Sequence, residues 1–417
     1  MKKAKVNAMT TNNHLNFEEL DSKTYEDLSK TANELLEVEH LDFDNRKYLA
    51  KVLFLLKRHD ESIEQLEMAI SKKSDDETQA LIAINHFQNE DYENALKILD
   101  ECLERNPENE TLLSYAMMSY EFQKDYKNAI RCGNRILKCN SKNTSLINRL
   151  IDYHMELENY EMCLAYIGQI EYEDFYKKAS ILYKAGRYEE CIEESRKIRT
   201  AESYRLAGRS YHKLGNIVKA VKYLYRSYEK DSNINTLFEI AEIYFEAGDY
   251  GRAIHFLNDS LLHDPLSIEA HAKIAQAYLN TSHWDDAVEY AKKAIQISKK
   301  VPQAYIILAE AYFQLESGNV EKTLEILDEG IHENPESEEL WMGKGGHSFP
   351  YDMFSFKESY EKAISLNPKN PDIYHEYIYL LIMNDEIEEA KRYYNQMLFY
   401  NPLFEKSFEE LKKSMYL

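Results

Sequence analysis

Four side chains that could bind an anion lie close together near the middle of the chain. Arg205, Arg209 and His212 follow one another at i, i+4 and i+7, and Lys213 is adjacent to His212. Side chains at this spacing share one face of a helix. Guanidinium groups form paired hydrogen bonds with carboxylate and phosphate oxygens. The spacing therefore predicts a row of cations that binds an acidic or phosphorylated segment. His212 has no second ligand at a spacing suited to a metal.

The charge balance around this row is the reverse of that of the whole chain. Residues 177–230 contain fourteen basic and six acidic residues, an excess of eight positive charges, whereas the chain of 417 residues has a net charge of −22. We expect Lys184 and Lys177 to extend the row, with Tyr176 and Tyr183 nearby. An alternative stays open, in which these cations form a solvated face and pair with neighbouring acidic repeats.

The elements that position these residues are predicted best from residues 234–267. A first run of apolar residues at helical spacing is followed by Gly248 at a turn, a second run, and Pro265 at the end. Such a stretch predicts two helices joined by a tight turn. The residues expected inside are Leu237, Ile240, Ala241, Tyr244, Ala253, Leu257 and Ser260.

The positions of the small and large residues in this stretch resemble the tetratricopeptide repeat (TPR), a helix pair of about 34 residues. Counted on this period, about eleven repeats cover 43–404. The repeats at 144–171 and 172–200 are short, through loss of the end of their second helices. The repeat at 337–370 is irregular, because three glycines and a proline should break or shorten its first helix.

The resemblance implies an all-α fold, a right-handed TPR superhelix of stacked antiparallel helix pairs. Residues 16–42 and 405–417 are expected to form capping helices at its two ends, because an end repeat would otherwise expose apolar surface. Residues 1–15 are polar and aperiodic, so we expect a mobile tail.

The resemblance also implies a groove, lined by the first helix of each repeat, that holds peptides or partner proteins. The four residues of the cationic row fall on groove positions. Apolar residues elsewhere in the groove could bind a partner or the protein's own tail, and the sequence does not separate the two: Phe54, Phe87, Met155, Phe245, Leu279 and Phe313. TPR domains that bind chaperone C-termini need Lys and Asn at fixed positions, where this chain has Lys47 and Lys51, so we do not expect that activity.

The composition argues against several other functions. Strong acidity disfavours nucleic acid and anionic membrane surfaces as partners. Neither a secretory signal nor an apolar window long enough to span a membrane is found, and five cysteines without metal-ligand spacing suggest a reducing compartment. The segment 343–348 (GKGGHS) lacks the order of Gly and Lys of a phosphate-binding loop.

We therefore expect a cytoplasmic, non-enzymatic scaffold without cofactor, metal or catalytic residues, whose partner is a protein or peptide. The alternative is a structural or regulatory subunit of a larger enzyme or transport complex. RNA or DNA binding by the basic repeats is the least favoured hypothesis, and the oligomeric state stays open.

Overall fold

A computed structural model of the chain describes residues 20, 23–70, 75–170, 174–400, 402 and 413. These residues form 23 α-helices and no strand. The predicted all-α fold of helix-pair repeats is confirmed. The predicted mobile tail at 1–15 lies outside the described residues, and so does the predicted capping helix at 405–417 apart from Lys413.

The chain divides into two compact parts between Glu194 and Ser195. The N-terminal part contains eleven helices among its described residues, the last of which, α11, extends two residues past the division. They are α1 (Tyr25–Leu36), α2 (Phe43–Leu55), α3 (His59–Ile70), α4 (Asp76–Gln88), α5 (Tyr92–Arg105), α6 (Glu110–Phe122), α7 (Tyr126–Cys139), α8 (Thr144–Glu156), α9 (Tyr160–Ile167), α10 (Phe175–Lys184) and α11 (Tyr188–Arg196).

The C-terminal part continues the same alternation of first and second helices. Its helices are α12 (Ala201–Lys213), α13 (Ile217–Asp231), α14 (Ile234–Glu246), α15 (Tyr250–His263), α16 (Ile268–Asn280), α17 (Trp284–Ile297), α18 (Pro302–Leu315), α19 (Val320–Glu333), α20 (Glu338–Ser348), α21 (Met353–Leu366), α22 (Pro371–Met383) and α23 (Ile387–Tyr400).

The turns inside the helix pairs have a recurring local construction. In six of the described pairs, a residue with positive φ ends the first helix, and an Asp or Asn directly after it caps the second helix by accepting a hydrogen bond from a backbone N–H in the first turn. Gly248 has φ 74°, and the Asp249 side chain accepts from the Arg252 amide. Gly215 and Asn216 repeat this arrangement before α13. Short polar turns of this kind bring two helices back to back within a few residues.

The apolar face of each helix is buried against the neighbouring helices of its own part. In α14, the predicted residues Leu237, Ile240 and Ala241 are almost fully buried. A leucine or isoleucine side chain buried in this way contributes about 1.5–3 kcal/mol to stability. One contiguous core joins helices of the N-terminal part from Ala80 to Ile181. The repeats are therefore stabilised by their neighbours, as no helix pair can cover its own apolar face.

Small residues let the two helices of a pair approach closely. Gly208 in α12 faces α13, where an added Cβ would lie 2.7 Å from Leu224 Cγ and 3.1 Å from the Ala220 carbonyl oxygen. Contacts under 3.0 Å force a shift of the neighbouring atoms. The small residue at this position is therefore required by the packing of the pair.

Helix lengths vary at the two places where the period of the sequence changes. The second helices α9 and α11 have 8 and 9 residues, and α10 has only 10. The glycine-rich first helix α20 has 11 residues and is unbroken, so its glycines do not interrupt it, and it ends directly before Phe349 and Pro350. Gly345 is buried there, and a Cβ would lie 2.7 Å from the Tyr360 ring. Tertiary packing against Tyr360 outweighs the low helix propensity of glycine.

Candidate functional site

The predicted cationic row lies along α12. Thr200 caps this helix, since its side chain accepts from the Ser203 amide at 3.2 Å while Ser203 Oγ accepts from the Thr200 amide at 3.2 Å. This reciprocal pair determines where the helix begins. The row then follows at the predicted spacing on the partly exposed side of the helix.

Arg205 and Arg209 form ion pairs with carboxylates at the end of α13 and along α14, and the His212 ring lies within hydrogen-bond distance of a third carboxylate. The pairs are Arg205 Nη2–Asp231 Oδ2 at 2.7 Å, Arg209 Nε–Glu239 Oε2 at 2.8 Å, and His212 Nε2–Glu246 Oε2 at 3.1 Å. Lys213 is exposed and has no ion-pair partner within the described ranges. An acidic ligand that binds to this row would therefore displace the protein's own carboxylates from the basic side chains.

The predicted extension of the row lies on α10, in the N-terminal part of the chain. Lys177 Nζ lies 3.0 Å from Asn148 Oδ1 and 3.2 Å from Asp152 Oδ1, so its charge is partly compensated. Lys184 is exposed at the last residue of α10. Because these lysines and the row on α12 belong to different compact parts, each group is described separately.

The two predicted tyrosines on α10 have different surroundings. Tyr176 is exposed, with 44% of its surface accessible. Tyr183 is half-buried and packs edge-on against Tyr188 of α11, with ring centroids 5.6 Å apart. Of these two tyrosines, Tyr176 is thus the one whose ring is exposed to a partner.

A second group of cations was not singled out from the sequence. Arg196, Arg199, Arg226 and Lys230 line one cleft of the C-terminal part. Arg226 and Lys230 share the i, i+4 spacing that marked the row on α12, and that spacing was the available signal. Their proximity to Arg196 and Arg199 depends on the packing of α12 and α13, which no spacing rule expresses.

The half-buried apolar residues of the first helices are engaged within the protein. Phe245 packs edge-on against Tyr250 at 5.0 Å, and Phe313 lies 4.9 Å from His347. Phe87 is buried. Lys47 and Lys51, at the positions compared with chaperone-binding domains, form ion pairs with Asp75 and Glu77.

Other chemistries find little support in the described residues. They contain no group of three or more His, Cys, Asp or Glu side chains placed to hold a metal ion. All five cysteines are free thiols. None of the helices described is both long enough and apolar enough to cross a bilayer. The segment 343–348 lies inside α20 and forms no loop that could surround a phosphate.

The helix pairs and their capped turns define a helical repeat protein. The chain contains tetratricopeptide repeats: models of this repeat match residues 77–109 and 238–305. TPR proteins generally mediate protein–protein interactions and are generally non-enzymatic.

Two curated proteins and a solved structure illustrate the similarity. A TPR repeat-containing protein of Methanocaldococcus jannaschii is 26% identical over 251 residues, covering 54% of this chain and 43% of the relative. The Hsp70-Hsp90 organising protein of Plasmodium falciparum is 30% identical over 105 residues, covering 25% of this chain and 40% of the relative. The chain thus spans less than half the length of each. A tetratricopeptide repeat protein from Parabacteroides merdae is 18% identical, with a TM-score of 0.46, over 59% of this chain and 98% of that one.

Proposed function

We propose that this protein is a non-enzymatic scaffold that binds an acidic or phosphorylated segment of a partner protein at its central basic repeats. The observation that carries the proposal is the row Arg205, Arg209, His212 and Lys213 on one helix, within a basic stretch of a strongly acidic chain. Cations collected on one helix face offer an acidic segment several contacts at once.

The ion pairs of the row are compatible with this function. Arg209 remains 46% exposed in its pair with Glu239, and His212 remains 27% exposed. Exposed ion pairs contribute only about 0–1 kcal/mol each, so a multivalent acidic ligand can replace the internal carboxylates. Before a ligand binds, Asp231 and Glu239 hold the guanidinium groups of Arg205 and Arg209 in place.

We include Lys177, Lys184, Tyr176 and Tyr183 in the proposal as a separate contact region on α10. Its exposed members, Lys184 and Tyr176, combine a positive charge with an aromatic surface. We also propose a cytoplasmic location, which the five unpaired thiols support.

The experiment measures binding of a fluorescein-labelled decapeptide of glutamate and glycine by fluorescence anisotropy. Charge reversal of the row, R205E with R209E, should lower the affinity about tenfold or more, because two attractive contacts become repulsive. The matched control is K138E with K142E, which reverses two exposed lysines of the N-terminal part. Equal affinity of the row variant and the wild type, with both folded by circular dichroism, would sink the proposal.

A second candidate function is that of a structural or regulatory subunit of a larger complex. The observation in its favour is the exposure of Tyr351 at 76% and Phe354 at 78% around the start of α21, because exposed apolar groups often mark permanent interfaces. Salt separates the two functions. Binding of an acidic segment weakens steeply between about 0.05 and 0.5 M salt, whereas an apolar interface does not.

A further inference from the structure

The C-terminal part contains a cleft in which arginines are the main charged groups. It has a volume of about 480 Å³ and lies between the end of α11, the connection to α12, and α13. Arg196, Arg199, Arg226 and Lys230 supply four positive charges to its walls, and Glu229 supplies the one negative charge of the lining. A volume in this range is typical of sites that hold a small ligand or the side chain of a bound peptide.

Arg196 is held in place by neutral groups. Its Nη2 donates to Tyr211 Oη at 2.5 Å, and its Nε donates to Tyr223 Oη at 3.3 Å. Phenol oxygens orient a guanidinium without neutralising its charge. Arg196 is therefore positioned as an arginine in an ion pair would be, while its full positive charge is retained.

Two aromatic rings, those of Tyr204 and Tyr223, line the cleft, and the buried Tyr211 ring lies beside them. The Tyr223 ring lies 5.2 Å from that of Tyr211 and 6.1 Å from that of Tyr204, measured between centroids. The Arg226 guanidinium lies 5.7 Å from the centroid of the Tyr223 ring. Stacking against an aromatic face restrains an arginine side chain and again leaves its charge uncompensated.

The cleft differs from the row on α12 in this respect. In the row, Arg205 and Arg209 each have a carboxylate within hydrogen-bond distance. In the cleft, Arg196, Arg199, Arg226 and Lys230 have no ion-pair partner among the residues that the structure describes. An excess of three positive charges within one cleft favours the binding of an anion that carries more than one negative charge.

A phosphomonoester compensates this excess of positive charge better than a carboxylate does. It carries about −1.5 to −2 charges near pH 7 and three acceptor oxygens, which suits several guanidinium groups at once. A polynucleotide would bring many further phosphates to a protein whose net charge is −22, where they would be repelled. A single phosphorylated side chain interacts mainly with the local excess of positive charge.

We propose that this cleft binds the phosphate group of a phosphorylated serine or threonine in a partner protein. Arg199, Arg226 and Lys230 contact the phosphate oxygens, and Arg196 is held by Tyr211 and Tyr223 to complete the charge. This site is separate from the row on α12 and does not depend on it.

The test uses the full chain and a fluorescein-labelled heptapeptide with one central phosphoserine flanked by glycine and alanine. We expect it to bind at least tenfold more tightly than the same peptide with serine. The double substitution R199Q with R226Q should remove that preference, because it removes two of the guanidinium groups that contact the phosphate. Both arginines are exposed, so their loss leaves the core intact. The matched control is K222Q with K362Q, two exposed lysines outside the cleft, which should retain it.

Further measurements distinguish binding in the cleft from binding at the row on α12 and from unspecific attraction of anions. R205Q with R209Q should retain the tenfold preference for the phosphoserine peptide over the serine peptide, whatever its effect on the affinity for the glutamate peptide, so the two proposals fail independently. Inorganic phosphate should compete only at concentrations at least tenfold above those of the unlabelled phosphopeptide. Equal affinity for phosphoserine and serine peptides, unchanged binding by R199Q with R226Q, equal potency of free phosphate, or stronger displacement by oligo-dT would each overturn the proposal.

Discussion

Arg209 in α12 donates hydrogen bonds from two of its nitrogens to the carboxylate of Glu239 in α14, the first helix of the next repeat. The two residues are 30 positions apart, which is close to one repeat. Because successive first helices are neighbours, a cation on one of them is placed beside an acid on the next. The same relationship joins His212 to Glu246. Glu239 and Glu246 thus compete with an acidic ligand for the side chains of the row.

The first prediction follows from this competition. The substitution E239Q removes the carboxylate that faces Arg209 and should raise the affinity for the glutamate peptide up to about fivefold, the equivalent of about 1 kcal/mol for an exposed pair. The matched control is E242Q on the same helix, because Glu242 pairs with Lys273 and not with the row. Anisotropy titrations measure both. Equal gains for E239Q and E242Q would point to a general charge effect instead.

The second prediction concerns the close approach of α12 and α13. The substitution G208A should lower the free energy of unfolding by about 1–3 kcal/mol, because the new methyl group would overlap with Leu224. G251A is the control, since Gly251 lies in helix α15 and has no atom within 4 Å of an added Cβ. There the better helix propensity of alanine should stabilise by up to about 1 kcal/mol. Urea unfolding followed by circular dichroism gives both values, and opposite signs are the expected result.

The third prediction is a loss of stability in mild acid that depends on His154. This side chain is 6% exposed, and neither ring nitrogen has a hydrogen-bond partner within the described part of the chain. Burial lowers the pKa of His154 below its value in the unfolded chain. Since the folded state binds the proton less well, the stability is full above the unfolded pKa of about 6.5 and declines as the pH falls below it.

Unfolding free energies at pH 7.5 and 5.5 measure this effect. H154L should make the decline with falling pH shallower, because the buried group that resists protonation is gone. H332Q serves as the control, because His332 is exposed in α19. An identical decline in the wild type and H154L would show that other groups cause the pH dependence.

The fourth prediction is that one thiol of the native protein reacts quickly. Cys139 is exposed, whereas Cys102, Cys132, Cys163 and Cys191 are buried. Burial also raises the pKa of Cys132 and of Cys163 to about 11, so little of either is thiolate at neutral pH. Reaction with Ellman's reagent should release about one equivalent rapidly in native buffer and five in denaturant. The rapid phase should disappear in C139S and persist in C132S.

Much of the fold could be predicted from local patterns. The apolar spacing in 234–267 predicted which residues of α14 are buried, because a helix of 3.6 residues per turn puts them on one side. Gly248 marked the turn, since a residue with positive φ is needed there. The glycine-rich segment 343–348 was harder to assess. Its low propensity favoured a break, but contacts with Tyr360 in α21 allow a continuous helix, and those contacts are not visible in the local sequence.

For the candidate sites too, some features could be predicted from the sequence and others depend on the tertiary structure. The residue types alone determined that Arg205, Arg209 and His212 share a face of one helix, because the helical period is a property of the backbone. Only the tertiary structure decided that each of them meets a carboxylate from a neighbouring helix. It also decided that Arg196 and Arg199 come together with Arg226 and Lys230 in a cleft that Tyr204 and Tyr223 also line. The physical reason is that charges distant in sequence interact only through the packing of helices, which depends on the fit of many side chains together.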